Sequence, residues 1–221
     1  MNRGLTTDEI AREVAFDLPD GKYVNLGIGL PTRVASYILE GRDVILHSEN
    51  GILGMAPLGA EELFDPDLID AGKQGVSLRP GGSYVSHADS FAIIRGAHLH
   101  IAVMGAFQVS ADGDLANWSN EQAVPGVGGA MDLAVGARTV FVMMRHVSRD
   151  GELKIVPELT LPVTGRGIVS RIYTELGIFE LHDRTLVVTG MAGDCDLDTV
   201  AQQTGIPVRL ADTCQQLPRS W

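Results

Sequence analysis

The stretch Val44-Ile45-Leu46-His47-Ser48-Glu49-Asn50-Gly51 decides how this chain is read. Its apolar opening has the character of a buried strand, and Gly51, Gly54 and Pro57 punctuate the residues after it. Glu49 therefore falls just past the carboxyl end of a core strand. In open α/β sheets ligands bind at that edge. A carboxylate placed there is costly to desolvate unless something pairs with it or uses it. A loop carboxylate or helix cap would fit the same position, so the neighbouring strands must show what else gathers there.

Tyr23-Val24-Asn25-Leu26-Gly27-Ile28-Gly29-Leu30-Pro31 reads as a second strand ending in glycines. Pro31 suits the first turn of a helix, where its missing N–H costs nothing. That helix is expected to bury Val34, Ala35, Ile38 and Leu39 and to close at Gly41. A third strand, Leu99–Met104, runs into Gly105-Ala106-Phe107-Gln108. If the three are parallel neighbours, Asn25, Glu49 and Gln108 converge on one cleft. The segment Pro125-Gly126-Val127-Gly128-Gly129-Ala130-Met131-Asp132-Leu133 adds glycines that open a helix, with backbone N–H groups free to face an anion. One carboxylate, two amides and a glycine-rich helix start form a kit for acyl chemistry on a carbonyl. Gly27 and Gly29 either admit a ligand closely or make a tight turn. They do not complete a dinucleotide fingerprint, because Thr32 occupies its last glycine position.

Five motifs, in chain order N-L-G-I-G-L-P-T, S-E-N-G, D-P-D-L-I-D-A-G-K-Q, G-D-L-A-N-W and G-V-G-G-A-M-D-L, look like those of one family. From about Leu5 to Val208 the chain resembles the β subunit of the class I (3-oxoacid) coenzyme A transferases. Met104–Ser110, Val140–Met144 and Ser170–Leu176 look most like the 3-oxoadipate enzymes, although relatives acting on acetoacetate share most motifs. Asp70 stands where the family generally has Asn, Ala97 where it has a second Gly, and His100 where Asp is common. The resemblance implies that Glu49 attacks an acyl-CoA, forms a mixed anhydride and then carries CoA as a glutamyl thioester. A 3-oxo acid collects that CoA, and succinyl-CoA is the implied donor. It implies Gly129 as a backbone oxyanion donor, with Gly128 beside it, and Asn25 as an amide near the nucleophile. Gln108 is a weaker substrate contact. It also implies an α-subunit partner in an A2B2 assembly, with CoA as a substrate and no permanently bound cofactor.

Composition sets bounds. A chain of 221 residues with 26 glycines suits one α/β domain, residues 1–221, with a mostly parallel open sheet flanked by helices. Alternating strand and helix signals fill the first 145 residues. Asp150-Gly151 and Asp183-Arg184 then punctuate hairpin-like pairs, Phe141–Met144 with Leu153–Val156 and Ile178–Leu181 with Leu186–Thr189. These predict antiparallel additions near the C-terminus, followed by a short helix from Leu197 to Thr204. At the other end Thr6 and Glu9 form a capping-box pattern before Ile10, Val14 and Leu18.

No uninterrupted apolar run approaches membrane-spanning length, and the residues at Met1-Asn2-Arg3 and beyond lack a secretory core. Two cysteines without a metal or redox spacing point to the cytoplasm. The net charge of −11 weighs against nucleic acid and leaves polyanionic CoA to be held by local donors. A dicarboxylic acceptor calls for a cation, for which Arg33, Arg79 and Arg166 are candidates.

Several other residues take plainer readings. His98 and His100 lack a third metal ligand, Ser48 lacks a nucleophile elbow, and Trp118 is a packing anchor. Asp194 and Asp196 disfavour a Cys195 thiolate. A thioester hydrolase using the same Glu49, and a silent subunit whose partner holds the chemistry, remain as alternative functions.

Overall fold

The three apolar runs that end near Asn25, Glu49 and Gly105 lie side by side in the computed structural model, which describes residues 4–119 and 126–219. Pro125 and Met1-Asn2-Arg3 fall outside the described residues. In chain order, α1 (Thr7–Asp17) leads to β1 (Lys22–Leu26), a 3-10 helix (Leu30–Tyr37), β2 (Val44–Ser48), β3 (Ile52–Pro57) and β4 (Val76–Tyr84). Next come α2 (His87–Arg95), β5 (Ile101–Met104), β6 (Gln108–Ser110), β7 (Leu115–Ala116) and α3 (Ala130–Gly136). The chain continues through β8 (Thr139–Met143), β9 (Ile155–Val156), β10 (Val169–Thr174), β11 (Gly177–His182), β12 (Thr185–Ala192), α4 (Leu197–Gln202) and β13 (Val208–Leu217).

The large sheet has the order β13-β12-β11-β10-β8-β5-β1-β2-β3-β4, and β7-β6-β9 form a small second sheet. Its centre, β10-β8-β5-β1-β2, is parallel throughout. Side chains alternate across it as the strand period requires. Ile101 and Val103 face a core shared with α1 and the 3-10 helix, while Ala102 and Met104 face one shared with α2, α3 and α4. Helices thus cover both faces, as parallel sheets demand.

The α1 start follows its capping box: Glu9 N–H donates to Thr6 Oγ1 at 3.2 Å and Thr6 N–H to the Glu9 carboxylate at 2.7 Å. Ile10, Val14 and Leu18 are buried as expected. The turn at Asp183-Arg184 also forms, with both residues at positive φ joining antiparallel β11 and β12 in the manner of a primed hairpin.

Three expectations are corrected. The segment after Pro31 is a 3-10 helix, and Leu39 lies exposed beyond it. The Thr32 hydroxyl and N–H both bond the Gly29 carbonyl, at 2.8 and 3.3 Å, which tightens that turn into an i to i+3 pattern. The Phe141–Met144 run forms no hairpin with Leu153–Val156, because both edges of β8 are taken by β5 and β10. Ile155-Val156 pairs with β6 instead, and the turn at Asp150-Gly151 supports a single bridge between Val147 and Leu153. Antiparallel additions occur at both edges, since β3 and β4 also run antiparallel beside β2.

Candidate active site

Three members of Ser48-Glu49-Asn50-Gly51 are scaffold, and this is what isolates the fourth. The buried Ser48 hydroxyl accepts the Ala71 N–H at 2.9 Å, and the Asn50 amide donates to the Ile69 carbonyl at 2.7 Å. Both bonds pin the Ile69–Ala71 loop. Gly51 turns at φ +115°, where a Cβ would run into the Val85 carbonyl oxygen, so only glycine fits. Ser48 therefore faces the loop, away from any joint chemistry with Glu49.

Glu49 stands one residue past β2, half-buried, with no hydrogen bond or ion pair to its carboxylate among the described residues. Its pKa is raised above the ordinary value, chiefly by burial. His87 opposes that rise and Asp132 adds to it. Both come with a short network on α2 and α3. The rings of His87 and Phe91 are 4.7 Å apart, the Arg95 guanidinium lies 5.4 Å from the Phe91 ring centre, and Arg95 Nε bonds Asp132 Oδ1 at 2.6 Å. The spacing His87, Phe91, Arg95 marks one helix face in the sequence, but no sequence signal says that this face meets Glu49.

Gly129 caps α3 directly against Glu49. A Cβ at Gly129 would collide with Glu49 Oε2 and lie 3.0 Å from its Cδ and 3.2 Å from Phe91 Cζ. Its own N–H has no acceptor among the described residues. Behind Glu49, Asn25 is committed elsewhere than expected. Its amide nitrogen donates to the His47 carbonyl at 3.1 Å and to His47 Nδ1 at 3.1 Å. His47 Nδ1 is thus an acceptor and Nε2 carries the proton, donating to Ser90 Oγ at 2.9 Å. Burial lowers the His47 pKa to about 4, so the ring is neutral near pH 7. Asn25 holds the backbone two residues before Glu49 rather than its carboxylate.

A cavity of about 460 Å³ opens along the carboxyl edge of β1, β2, β5 and β8. Asn25, Gly27, Glu49, Gly128 and Gly129 line it. Its volume falls in the range typical of small-molecule sites. Gly27 N–H bonds the Val103 carbonyl at 2.8 Å, so its missing side chain lets the β1 exit pack against β5. Two expected contacts lie elsewhere. Gly29 sits at φ +97° and starts the 3-10 helix outside this cavity. Gln108 bonds the Thr160 hydroxyl at 2.8 Å and accepts the Thr160 and Leu161 N–H groups, tying a loop to β6.

The arginine candidates are also occupied away from the cavity. Arg33 pairs with Asp8, Arg79 bonds the Val44 carbonyl, and Arg166 pairs with Asp114. The cavity's cations among the described residues are Arg145 and Lys154, which sequence inspection passed over. Lys154 precedes a strand whose hairpin reading gives it the wrong partner, and this hides its position. Trp118 donates to the Val163 carbonyl at 3.3 Å, in keeping with an anchoring role. Burial, reinforced by Asp194 and Asp196, raises the Cys195 pKa. His100 stacks on Tyr23 at 6.3 Å, and no group of three or more His, Cys, Asp or Glu residues is placed to hold a metal among the described residues.

The chain is 53% identical over 210 residues to the B subunit of 3-oxoadipate CoA-transferase from Pseudomonas putida, covering 94% of this chain and 98% of that one. It is 42% identical over 198 residues to the B subunit of succinyl-CoA:3-ketoacid coenzyme A transferase from Helicobacter pylori, covering 89% and 95%. The fold matches an acyl-CoA transferase apoenzyme from Escherichia coli O157:H7 with a TM-score of 0.76 at 16% identity, over 96% of this chain and 43% of that longer protein. The family model for coenzyme A transferase matches residues 7–203, and the chain belongs to that family of enzymes.

Proposed function

We propose that this chain is the nucleophile-bearing subunit of a CoA-transferase that moves CoA from succinyl-CoA to a 3-oxo acid, with 3-oxoadipate the favoured acceptor. The observation that carries this reading is the Glu49 carboxylate. It is half-buried, unpartnered among the described residues and packed against the side-chain-free face of Gly129 at a cavity wall. A carboxylate stripped of water is more nucleophilic than a solvated one, and raising its pKa moves it in that direction.

Glu49 attacks the acyl carbonyl of the donor, and the C–S bond breaks to release CoA thiolate and leave a mixed anhydride. The thiolate attacks the glutamyl carbonyl, expelling the donor acid as a carboxylate and leaving CoA on Glu49 as a thioester. The acceptor carboxylate runs the two steps in reverse. The exchange consumes one thioester and makes another of similar energy, so no ATP enters, and no resident cofactor is needed because Glu49 itself carries the group. The Gly129 N–H, unbonded among the described residues, is the donor we assign to the oxyanion that develops next to Glu49, and one such donor is worth about 10²–10³ in rate.

The two relatives are named as B subunits, which supports an α-subunit partner that we place in an A2B2 assembly in the cytoplasm. Exposed apolar side chains support the same reading. Ile28 and Phe107 follow β1 and β5 at the cavity edge, and Met131 and Val135 project from α3. A partner covering them would also exclude water, which an anhydride requires.

The test is to purify the chain alone and with its α-type partner, then assay succinyl-CoA with 3-oxoadipate. Acceptor-dependent transfer by the pair alone is expected. Acceptor-independent CoA release would point to a hydrolase instead.

A further inference from the structure

The cavity that holds Glu49 has a second charged end. Glu49 follows β2 and Arg145 follows β8, and the order β8-β5-β1-β2 separates them by three strand spacings, about 14 Å. Arg145 and Lys154 both line the cavity. Their acidic neighbour is Glu175, 3.4 Å from Arg145 Nε and itself held by the His146 N–H at 2.9 Å. Two cations against one carboxylate leave a surplus positive charge, in a chain whose net charge is −11. The Lys154 amine has no hydrogen-bond or ion-pair partner among the described residues. Lys154 is partly buried, and this lowers its pKa to about 8. A partly desolvated ammonium with no hydrogen-bond partner at a cavity wall favours the arrival of an anion there.

We infer that Arg145 and Lys154 bind the distal carboxylate of the acid substrate and so select dicarboxylic over monocarboxylic 3-oxo acids. The inference rests on Glu49 as the nucleophile, since that sets which carboxylate reacts. With one end of a short diacid at Glu49, side chains reaching inward from β2 and β8 leave its far carboxylate beside the two cations. A planar guanidinium can take that carboxylate with two N–H groups, while Lys154 adds a point charge. The same pair serves both halves of the exchange, because succinate and 3-oxoadipate each carry a second carboxylate. An acid ending in a methyl group gains nothing from it. The phosphates of CoA are the other anions within reach of this enzyme, and the choice of acceptors separates the two.

The experiment uses the assembled enzyme with succinyl-CoA as donor. It compares kcat/KM for 3-oxoadipate and acetoacetate in the wild type, Arg145→Gln, Arg145→Lys and Lys154→Met. The preference for the diacid should drop about 10- to 100-fold in Arg145→Gln and in Lys154→Met, with part of it regained in Arg145→Lys. Equal losses for both acceptors would overturn the inference and assign the cations to CoA. An unchanged preference in both charge-removing variants would overturn it as well. The CoA adduct on Glu49 is measured in the same samples. An adduct that forms while the preference stays fixed defeats this inference alone, and a wild type that never carries the adduct defeats the reading beneath it.

Discussion

The α-carbon of Gly129 faces the Glu49 carboxylate so closely that a single methyl group there would overlap Oε2 and sit 3.0 Å from Cδ. Gly129 is at φ −78°, a conformation that alanine adopts without strain. Gly129→Ala therefore tests the contact and leaves the backbone out of it. If Glu49 is the proposed nucleophile, displacing it by about 1 Å should lower kcat about 10²-fold with little change in thermal stability. A variant with wild-type kcat would show that the carboxylate is not held where its chemistry needs it.

His87 and Asp132 act on Glu49 with opposite signs, and their removal should be read out in opposite directions. Attack requires the ionised carboxylate, so activity falls as pH drops through the Glu49 pKa. Loss of His87 removes the interaction that lowers the Glu49 pKa, and His87→Gln should move the acidic limb of kcat/KM to higher pH. Loss of Asp132 removes an opposing anion, and Asp132→Asn should move it lower. Shifts of the same sign in both variants would contradict this electrostatic assignment.

Two buried histidines make the fold acid-sensitive. Burial lowers the pKa of His47 and of His146 to about 4, from the ordinary 6.5. The unfolded chain therefore takes up protons first as pH falls. Stability from this source is complete above about pH 6.5 and declines toward pH 4, by about 3 kcal/mol for each ring at pH 4. Denaturant unfolding across this range should show the decline, and His146→Gln should remove part of it. His146 is the cleaner site, since it bonds Thr174 and Thr204 away from Glu49. A stability that stays flat from pH 7 to 4.5 would contradict the prediction.

Ala97 ends α2 in a left-handed conformation, at φ +57°. The helix closes with a Schellman pair, His98 N–H to the Ile93 carbonyl at 3.2 Å and Ala97 N–H to the Ile94 carbonyl at 3.1 Å. Glycine, which the family resemblance leads one to expect here, fits that position without strain. Ala97→Gly should stabilise the protein by about 1 kcal/mol, net of the added freedom of the unfolded chain. A lower midpoint in urea would contradict it.

The β5-β1-β2 part of the parallel centre was legible because its strands are apolar runs leading into Gly or Glu, and Glu49 was legible because S-E-N-G spans the end of one of them. Asp70 also becomes intelligible. Its carboxylate accepts the Gln74 N–H at 2.8 Å, a bond that the Asn expected there could make equally well. What stayed hidden depends on contacts between distant segments. Asn25 was placed at the right edge, but its partner is His47, and only the β1–β2 register reveals that. Gln108 follows a core strand as Glu49 does, yet β6 leaves the main sheet and takes it away. Arg145 and Lys154 lie on either side of the Asp150-Gly151 turn, whose hairpin reading concealed that both reach the cavity.

The covalent route through Glu49 is tested most directly by mass spectrometry. The assembled enzyme is incubated with succinyl-CoA and no acceptor, quenched rapidly and digested, and the peptide containing Glu49 is weighed. A CoA adduct on Glu49 is expected, discharged by 3-oxoadipate and absent from Glu49→Gln, whose transfer rate should fall by more than the roughly 10²–10⁴ that loss of a general base costs. An unmodified Glu49 peptide throughout, together with robust transfer by Glu49→Gln, would contradict it.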